Sequence, residues 1–128
     1  RVASLYLFGS RAKEMAARLE GAEPPTTTER SDLDVAVEPQ PGALTHASER
    51  VALITALEDL FDVPRVDLVI LPEAGAFLAA DAVRGELVYC DDEDRQSREQ
   101  LYYLRRAADL APFQRQRLEG LLSGELKK

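Results

Sequence analysis

Asp32 and Asp34 stand two residues apart in the run Ser31-Asp32-Leu33-Asp34-Val35-Ala36-Val37. On a strand such a spacing puts both carboxylates on one face and Leu33, Val35 and Val37 on the other. Two like charges so close repel, and a hard divalent cation such as Mg²⁺ is the common means of holding them together. A third carboxylate, Asp67, lies in Arg65-Val66-Asp67-Leu68-Val69-Ile70-Leu71, a strand-like run bounded by Pro64 and Pro72. Val66, Leu68 and Ile70 share one face of it, and Asp67, Val69 and Leu71 the other. A lone Asp in an apolar strand is expensive to bury without a partner. If the two strands are neighbours, Asp67 reaches the metal held by Asp32 and Asp34. Two ions roughly 3.5–4 Å apart would then activate an attacking oxygen and neutralise a triphosphate. The bland reading of Asp67 is an ion pair with Arg65 or Arg84.

Gly9-Ser10 supplies a seat for phosphate. Val2-Ala3-Ser4-Leu5-Tyr6-Leu7-Phe8 reads as a strand, and Arg11 to Glu20 as a helix of strong formers. The pair therefore lies where a strand turns into a helix N-terminus. Free backbone N–H groups and the positive end of the helix dipole point there. Gly9 removes the Cβ that would block close approach, and the Ser10 hydroxyl is placed to cap the helix or donate to a phosphate oxygen. Arg11, Lys13 and Arg30 are candidate phosphate partners, with plain solvation as the alternative for each.

The remaining elements must position these groups. Gly21 to Arg30, with Pro24-Pro25 and a Thr run, reads as a loop. His46 to Phe61 reads as an amphipathic helix whose stripe is Ala47, Val51, Ile54, Leu57 and Phe61, widened by Leu53 and Leu60. Glu73 to Arg84 is a short helix closed by Gly85, and Glu86 to Cys90 a fourth strand. Asp91 to Asp94 favour the start of the next helix. That helix is predicted to run to about Leu110, where Pro112 breaks or kinks it, and a second to run towards Leu126. Its stripe of Leu101, Leu104, Ala108, Leu118, Leu121 and Leu122 is expected to pack mostly on the chain's own sheet, with partner contact as the alternative. Strands alternating with helices predict an α/β (α+β) fold, a mixed sheet flanked by helices with a helical C-terminal tail. The 128 residues are expected to form one domain, with a core at about 1–90 and C-terminal helices at about 93–126.

Composition narrows the chemistry. Apolar content of 45% and charged content of 30% fit a globular chain. The sole cysteine, Cys90, excludes an intrachain disulfide and a Cys-based zinc site. The sole histidine, His46, excludes a His-rich metal site and reads as a solvated helix start. A net charge of −7 argues against nonspecific nucleic-acid binding and is compatible with a basic protein partner. No apolar run approaches a membrane span, so no membrane contact is expected and the cytoplasm is the expected compartment.

Phe8-Gly9-Ser10-Arg11, then Ser31-Asp32-Leu33-Asp34, then Val66-Asp67-Leu68-Val69 resemble the nucleotidyltransferase superfamily of the polymerase-β type. Within it, the small size and the Gly85 to Asp92 stretch followed by a helix with Tyr102-Tyr103 and Pro112 are similar to the minimal nucleotidyltransferases that act as antitoxins of MNT/HEPN pairs. The family usually has a shorter link between Gly-Ser and Asp-x-Asp, and a helix before the first strand, so residues upstream of Arg1 are expected. The resemblance implies Asp32, Asp34 and Asp67 as metal-binding and catalytic residues, and Gly9, Ser10 and Arg11 as the nucleotide seat. It implies Mg²⁺, as two ions, and ATP as AMP donor. It also implies a tyrosine of a cognate HEPN toxin, an RNase, as acceptor, neutralised by AMPylation within an oligomeric toxin–antitoxin complex. The HEPN pattern of an Arg followed shortly by His is not found around His46, so the toxin role is not expected of this chain. Two other readings stand beside this one. An aminoglycoside-type nucleotidyltransferase would need more chain for its substrate, and a non-catalytic antitoxin would act by occlusion.

Overall fold

The computed structural model describes residues 1–21 and 32–124. The predicted loop across Gly21 to Arg30, with Arg30 and Ser31, lies outside the described residues except for Gly21. Strands β1 (Val2–Phe8), β2 (Leu33–Pro39), β3 (Val66–Ile70) and β4 (Glu86–Cys90) form a sheet in the order β3-β2-β1-β4. β1 runs antiparallel to both β2 and β4, while β2 and β3 are parallel. The sheet is therefore mixed, as expected.

Alternation along the strands makes two cores. Leu5, Leu7, Leu33, Val35, Val37, Val66 and Ile70 point to one side, where helices α1 (Ala12–Leu19) and α2 (Ala47–Phe61) contribute Met15, Leu57 and Phe61. Tyr6 and Ala36 point to the other, covered by α3 (Ala76–Val83) and α4 (Glu93–Ser123) through Ala79, Ala82, Val83 and Tyr103. A short 3-10 turn, Leu71–Glu73, leads from β3 towards α3.

Four expectations need correction. The helix across Pro112 is not interrupted: α4 runs unbroken from Glu93 to Ser123. Proline removes one backbone donor, and strong helix formers on both sides carry the helix past it. On α2, Val51 and Leu60 are 60% and 61% exposed. The packed face is narrower, with Leu57 and Phe61 buried and Leu53 and Ile54 partly buried, because the helix meets the sheet along one line. Leu101, Leu118, Leu121 and Leu122 do not pack on the sheet but face outward, since α4 is far longer than the sheet is wide. Gly85 closes α3, donating to the Ala82 carbonyl at 3.0 Å, but not through a left-handed conformation. A Cβ there would lie 2.2 Å from the Leu7 carbonyl oxygen, so the glycine allows α3 and β4 to approach β1. The large side chains of α3, Phe77 and Leu78, are exposed, and its alanines make the contact.

Polar groups fasten α4 across the sheet. Asp92 caps it, accepting from the amides of Asp94 (2.9 Å) and Arg95 (3.1 Å). Glu99 Oε2 accepts from the Ser4 hydroxyl at 2.6 Å and the Tyr6 hydroxyl at 2.7 Å, while its other oxygen pairs with Arg95. Gln96 donates to the Tyr6 hydroxyl at 2.8 Å, and the Tyr103 hydroxyl donates to Glu38 Oε1 at 2.7 Å.

Burial pushes the Glu38 carboxyl above its ordinary value of 4.5, and the Tyr103 hydrogen bond draws it part of the way back. A carboxyl raised in the folded state costs stability when ionised, and that cost grows as pH rises from 4.5 through the folded value. Tyr103→Phe removes a donor to the ionised form. It is expected to cost about 1–2 kcal/mol at neutral pH and less once Glu38 is protonated. Urea denaturation at pH 7.5 and in acid checks this: equal losses at both would show that the bond does not serve the carboxylate.

Candidate active site

Three stretches of chain meet at one end of the sheet. β1 delivers Gly9 as it ends, β2 begins at Leu33 directly after Asp32, and β3 begins at Val66 after Arg65. The parallel register pairs Asp34 with Asp67, and the antiparallel register pairs Asp34 with Phe8. In-register neighbours point to the same side of a sheet. Asp34 and Asp67 therefore stand side by side on the α3/α4 face, with Asp34 in the centre of the cluster.

Gly9 adopts a φ of +79°, and a Cβ on it would fall 2.4 Å from Asp34 Oδ2. Both the left-handed bend and the close approach of the carboxylate require glycine here. Ser10 is exposed next to it, and the Ala12 amide closes the bend on the Gly9 carbonyl at 3.4 Å. Because α1 starts at Ala12, Ser10 sits just ahead of the helix, exposed, beside a cavity of about 260 Å³. Phe8, Gly9, Ser10, Lys13, Arg84 and Glu86 are among its walls. Arg11 is placed differently: its side chain is buried and lies 3.2 Å from Glu14.

The electrostatics are those of crowded carboxylates. Asp34 is raised above its ordinary value first by burial, then by the charge of Asp67, then by that of Asp32. Arg65 Nε lies 3.4 Å from Asp67 Oδ1 and 3.7 Å from Asp32 Oδ2, so an exposed guanidinium spans the two outer carboxylates. The simple ion pair considered for Asp67 is thus present, and it includes Asp32 as well. Arg84 instead pairs with Asp81 at 3.6 Å. The Asp32–Arg65 contact had no signal in the sequence, because it depends on β2 and β3 starting level with each other.

As the side chains stand, no three His, Cys, Asp or Glu groups among the described residues are closed around a single cation position. The donor chemistry nevertheless suits a hard cation. All three groups are carboxylates, and the central one is held under repulsion from its neighbours. His46 stands apart as the exposed start of α2, its amide donating to Glu49 Oε1 at 3.1 Å. Cys90, half-buried at the end of β4, is also outside the cluster. No helix of the described residues is long and apolar enough to cross a membrane.

Comparison with known proteins identifies a family and a shared fold. A family model described as polymerase beta, nucleotidyltransferase, matches residues 1–94. No curated protein matches the chain. Several solved structures share the fold. A mutant of the toxin–antitoxin MntA–HpeT is 18% identical with a TM-score of 0.69, over 94% of this chain and 86% of that one. A toxin–antitoxin with AMP-PNP is 20% identical with a TM-score of 0.66, over the same shares. The complex of a tri-AMPylated Shewanella oneidensis HEPN toxin with MNT antitoxin gives 20% identity and a TM-score of 0.58, over 97% of this chain and 83% of that one.

Proposed function

The chain belongs to the polymerase beta nucleotidyltransferase family, and from that premise we propose that it is an antitoxin. In this reading it transfers AMP from ATP to a tyrosine hydroxyl of a cognate HEPN-type RNase toxin in a Mg²⁺-dependent reaction. One observation carries the reading: Asp34 and Asp67 stand in register on adjacent strands, with the Gly9 bend against Asp34. The likeness to complexes of a HEPN toxin with an MNT antitoxin, one with the toxin tri-AMPylated, supports the choice of acceptor. The likeness to a toxin–antitoxin with AMP-PNP supports an adenine nucleotide as donor.

In the proposed reaction, Gly9 and Ser10 hold the outer phosphates of ATP against the start of α1. Arg11, paired with Glu14, anchors the first turn behind them. Asp32, Asp34 and Asp67 would hold Mg²⁺, as two ions, and when bound the metal supplies neutralisation of the triphosphate and of the leaving pyrophosphate. Arg65 must then swing out from between Asp32 and Asp67, which its exposure allows. Asp67 orients the tyrosine hydroxyl and accepts its proton. The phenolic oxygen bonds to the α-phosphorus in line with the bond to the β-phosphate, that bond breaks, and pyrophosphate leaves.

Intact-mass spectrometry of the HEPN toxin, after incubation with this protein, ATP and Mg²⁺, tests the proposal. The expected result is a gain of one or more AMP units, abolished by EDTA. A toxin that is inhibited with its mass unchanged would replace transfer by occlusion.

A further inference from the structure

The far half of α4 is longer than its fold requires. At about 1.5 Å per residue, the 31 residues of α4 span more than the width of the four-stranded sheet. Its buried line is Gln96, Tyr103 and Ala107; beyond these only Gly120 is buried. The same helical spacing continues through Leu110, Gln114, Leu118 and Leu121. Here it has no sheet beneath it: Leu110, Leu118 and Leu121 are 40%, 55% and 61% exposed. Gln114, Arg117, Leu118 and Leu121 line a shallow groove of about 220 Å³ along that face.

The helix also has a direction. It starts beside β4, where the Asp91 amide donates to the Ala3 carbonyl at 2.8 Å. It passes β1 at Glu99, which accepts from Ser4 and Tyr6, and reaches β2 at Tyr103, which donates to Glu38. In the order β3-β2-β1-β4 the next strand on this course is β3, the edge strand that bears Asp67. Arg106 and Pro72, just after β3, already share the walls of one cavity. Glu38 lies on the same face of β2 as Asp34, four residues away, about 13 Å. The free half of α4 therefore leaves the sheet past its β3 edge, on the face that carries the carboxylates but at the Pro72 end of β3, away from the Asp67 end.

Charge narrows the occupant. This half carries Arg105, Arg106, Arg115 and Arg117 against Asp109 and Glu119, on a chain whose net charge is −7. A second copy of so acidic a chain meets overall repulsion, and a leucine stripe is poorly suited to nucleic acid. We propose that the Leu110–Leu121 face of α4 is the docking surface for the acceptor protein itself, which presents an apolar helical face rimmed by carboxylates. An acceptor docked there lies along the edge strand β3, on the sheet face that carries Asp34 and Asp67. This rests on the proposed AMP transfer to a protein and adds the surface that selects it.

The test is the full chain carrying Leu118→Asp and Leu121→Asp together, with Arg117→Glu as a separate milder variant. Each is titrated with the HEPN toxin by calorimetry and assayed for AMP transfer to it. We expect toxin affinity to fall at least about tenfold in the double variant, with KM for toxin rising in step. Arg117→Glu should weaken binding less and more steeply at low salt. ATP affinity and the thermal midpoint should stay as in the parent, because these side chains are outside the core. Unchanged toxin affinity in the double variant overturns the docking surface and leaves AMP transfer standing. Loss of a self-dimer, or loss of RNA binding, in place of toxin affinity also overturns it. A parent chain that binds the toxin through this face yet transfers no AMP overturns the transfer reading and leaves the surface standing. A parent that binds no toxin overturns both.

Discussion

Asp34→Asn is expected to reduce AMP transfer by about a thousandfold while leaving the protein folded. Asp34 is the central carboxylate: it pairs in register with Asp67, touches the Gly9 bend, and feels Asp32 as well. Burial and both neighbours disfavour its charge, so the neutral amide relieves repulsion in the metal-free protein. The thermal midpoint of metal-free Asp34→Asn should therefore equal or exceed that of the parent. The parent should gain stability on adding Mg²⁺, because a ligand that binds only the folded state stabilises it by mass action, and the variant should gain less. Asp67→Asn is expected to lose comparable activity without the same gain in metal-free stability, since Arg65 compensates Asp67 and not Asp34. Single-turnover transfer from labelled ATP, together with melting curves with and without Mg²⁺, measures all of this. A drop of less than tenfold for Asp34→Asn would remove the carboxylate cluster from the chemistry.

The elements that form this cluster were readable because each is short, apolar and punctuated. β1 ends at Gly9, β3 sits between Pro64 and Pro72, and both follow the period of two. The same period placed Asp34 opposite Val35 and Val37, and Asp67 opposite Leu68. What a linear pattern cannot carry is register. Asp34 faces Asp67 because β2 and β3 are parallel and start level, and Arg65 reaches Asp32 for the same reason. The misread elements share another cause, which is reliance on a local rule where the tertiary setting decides. Pro112 would end a helix that had a turn to enter, but α4 meets no obstacle and continues. Val51 and Leu60 are apolar at helical spacing, yet α2 touches the sheet along a line too narrow to include them. Arg11, basic and next to Gly9-Ser10, looked like a phosphate partner, but the first turn of α1 draws it inward against Glu14.

Gly9→Ala separates the cost of folding from the cost of function. The φ of +79° at this residue is unfavourable for any residue with a Cβ, at about 1–2 kcal/mol, a loss that a domain of this size should survive. The steric conflict is of another kind. The atom within 2.4 Å of the new methyl is Asp34 Oδ2, the tip of a side chain and not backbone. It can rotate away at small energetic expense, and in doing so it leaves its place beside Asp67. A displacement of about 1 Å at a reacting centre costs on the order of a hundredfold in rate. The variant should therefore fold, with a thermal midpoint a few degrees lower, should bind the HEPN toxin with parental affinity, and should transfer AMP about a hundredfold more slowly. Circular dichroism melts, calorimetric toxin binding and single-turnover transfer read the three quantities separately. Parental transfer by Gly9→Ala would mean that the Asp34 carboxylate does not act from the position it holds against the bend. A rate loss that merely follows lost fold would assign Gly9 to the architecture alone. The toxin measurement distinguishes these from a docking defect, because Gly9 lies where β1 hands over to α1 and the acceptor surface on α4 lies beyond β3.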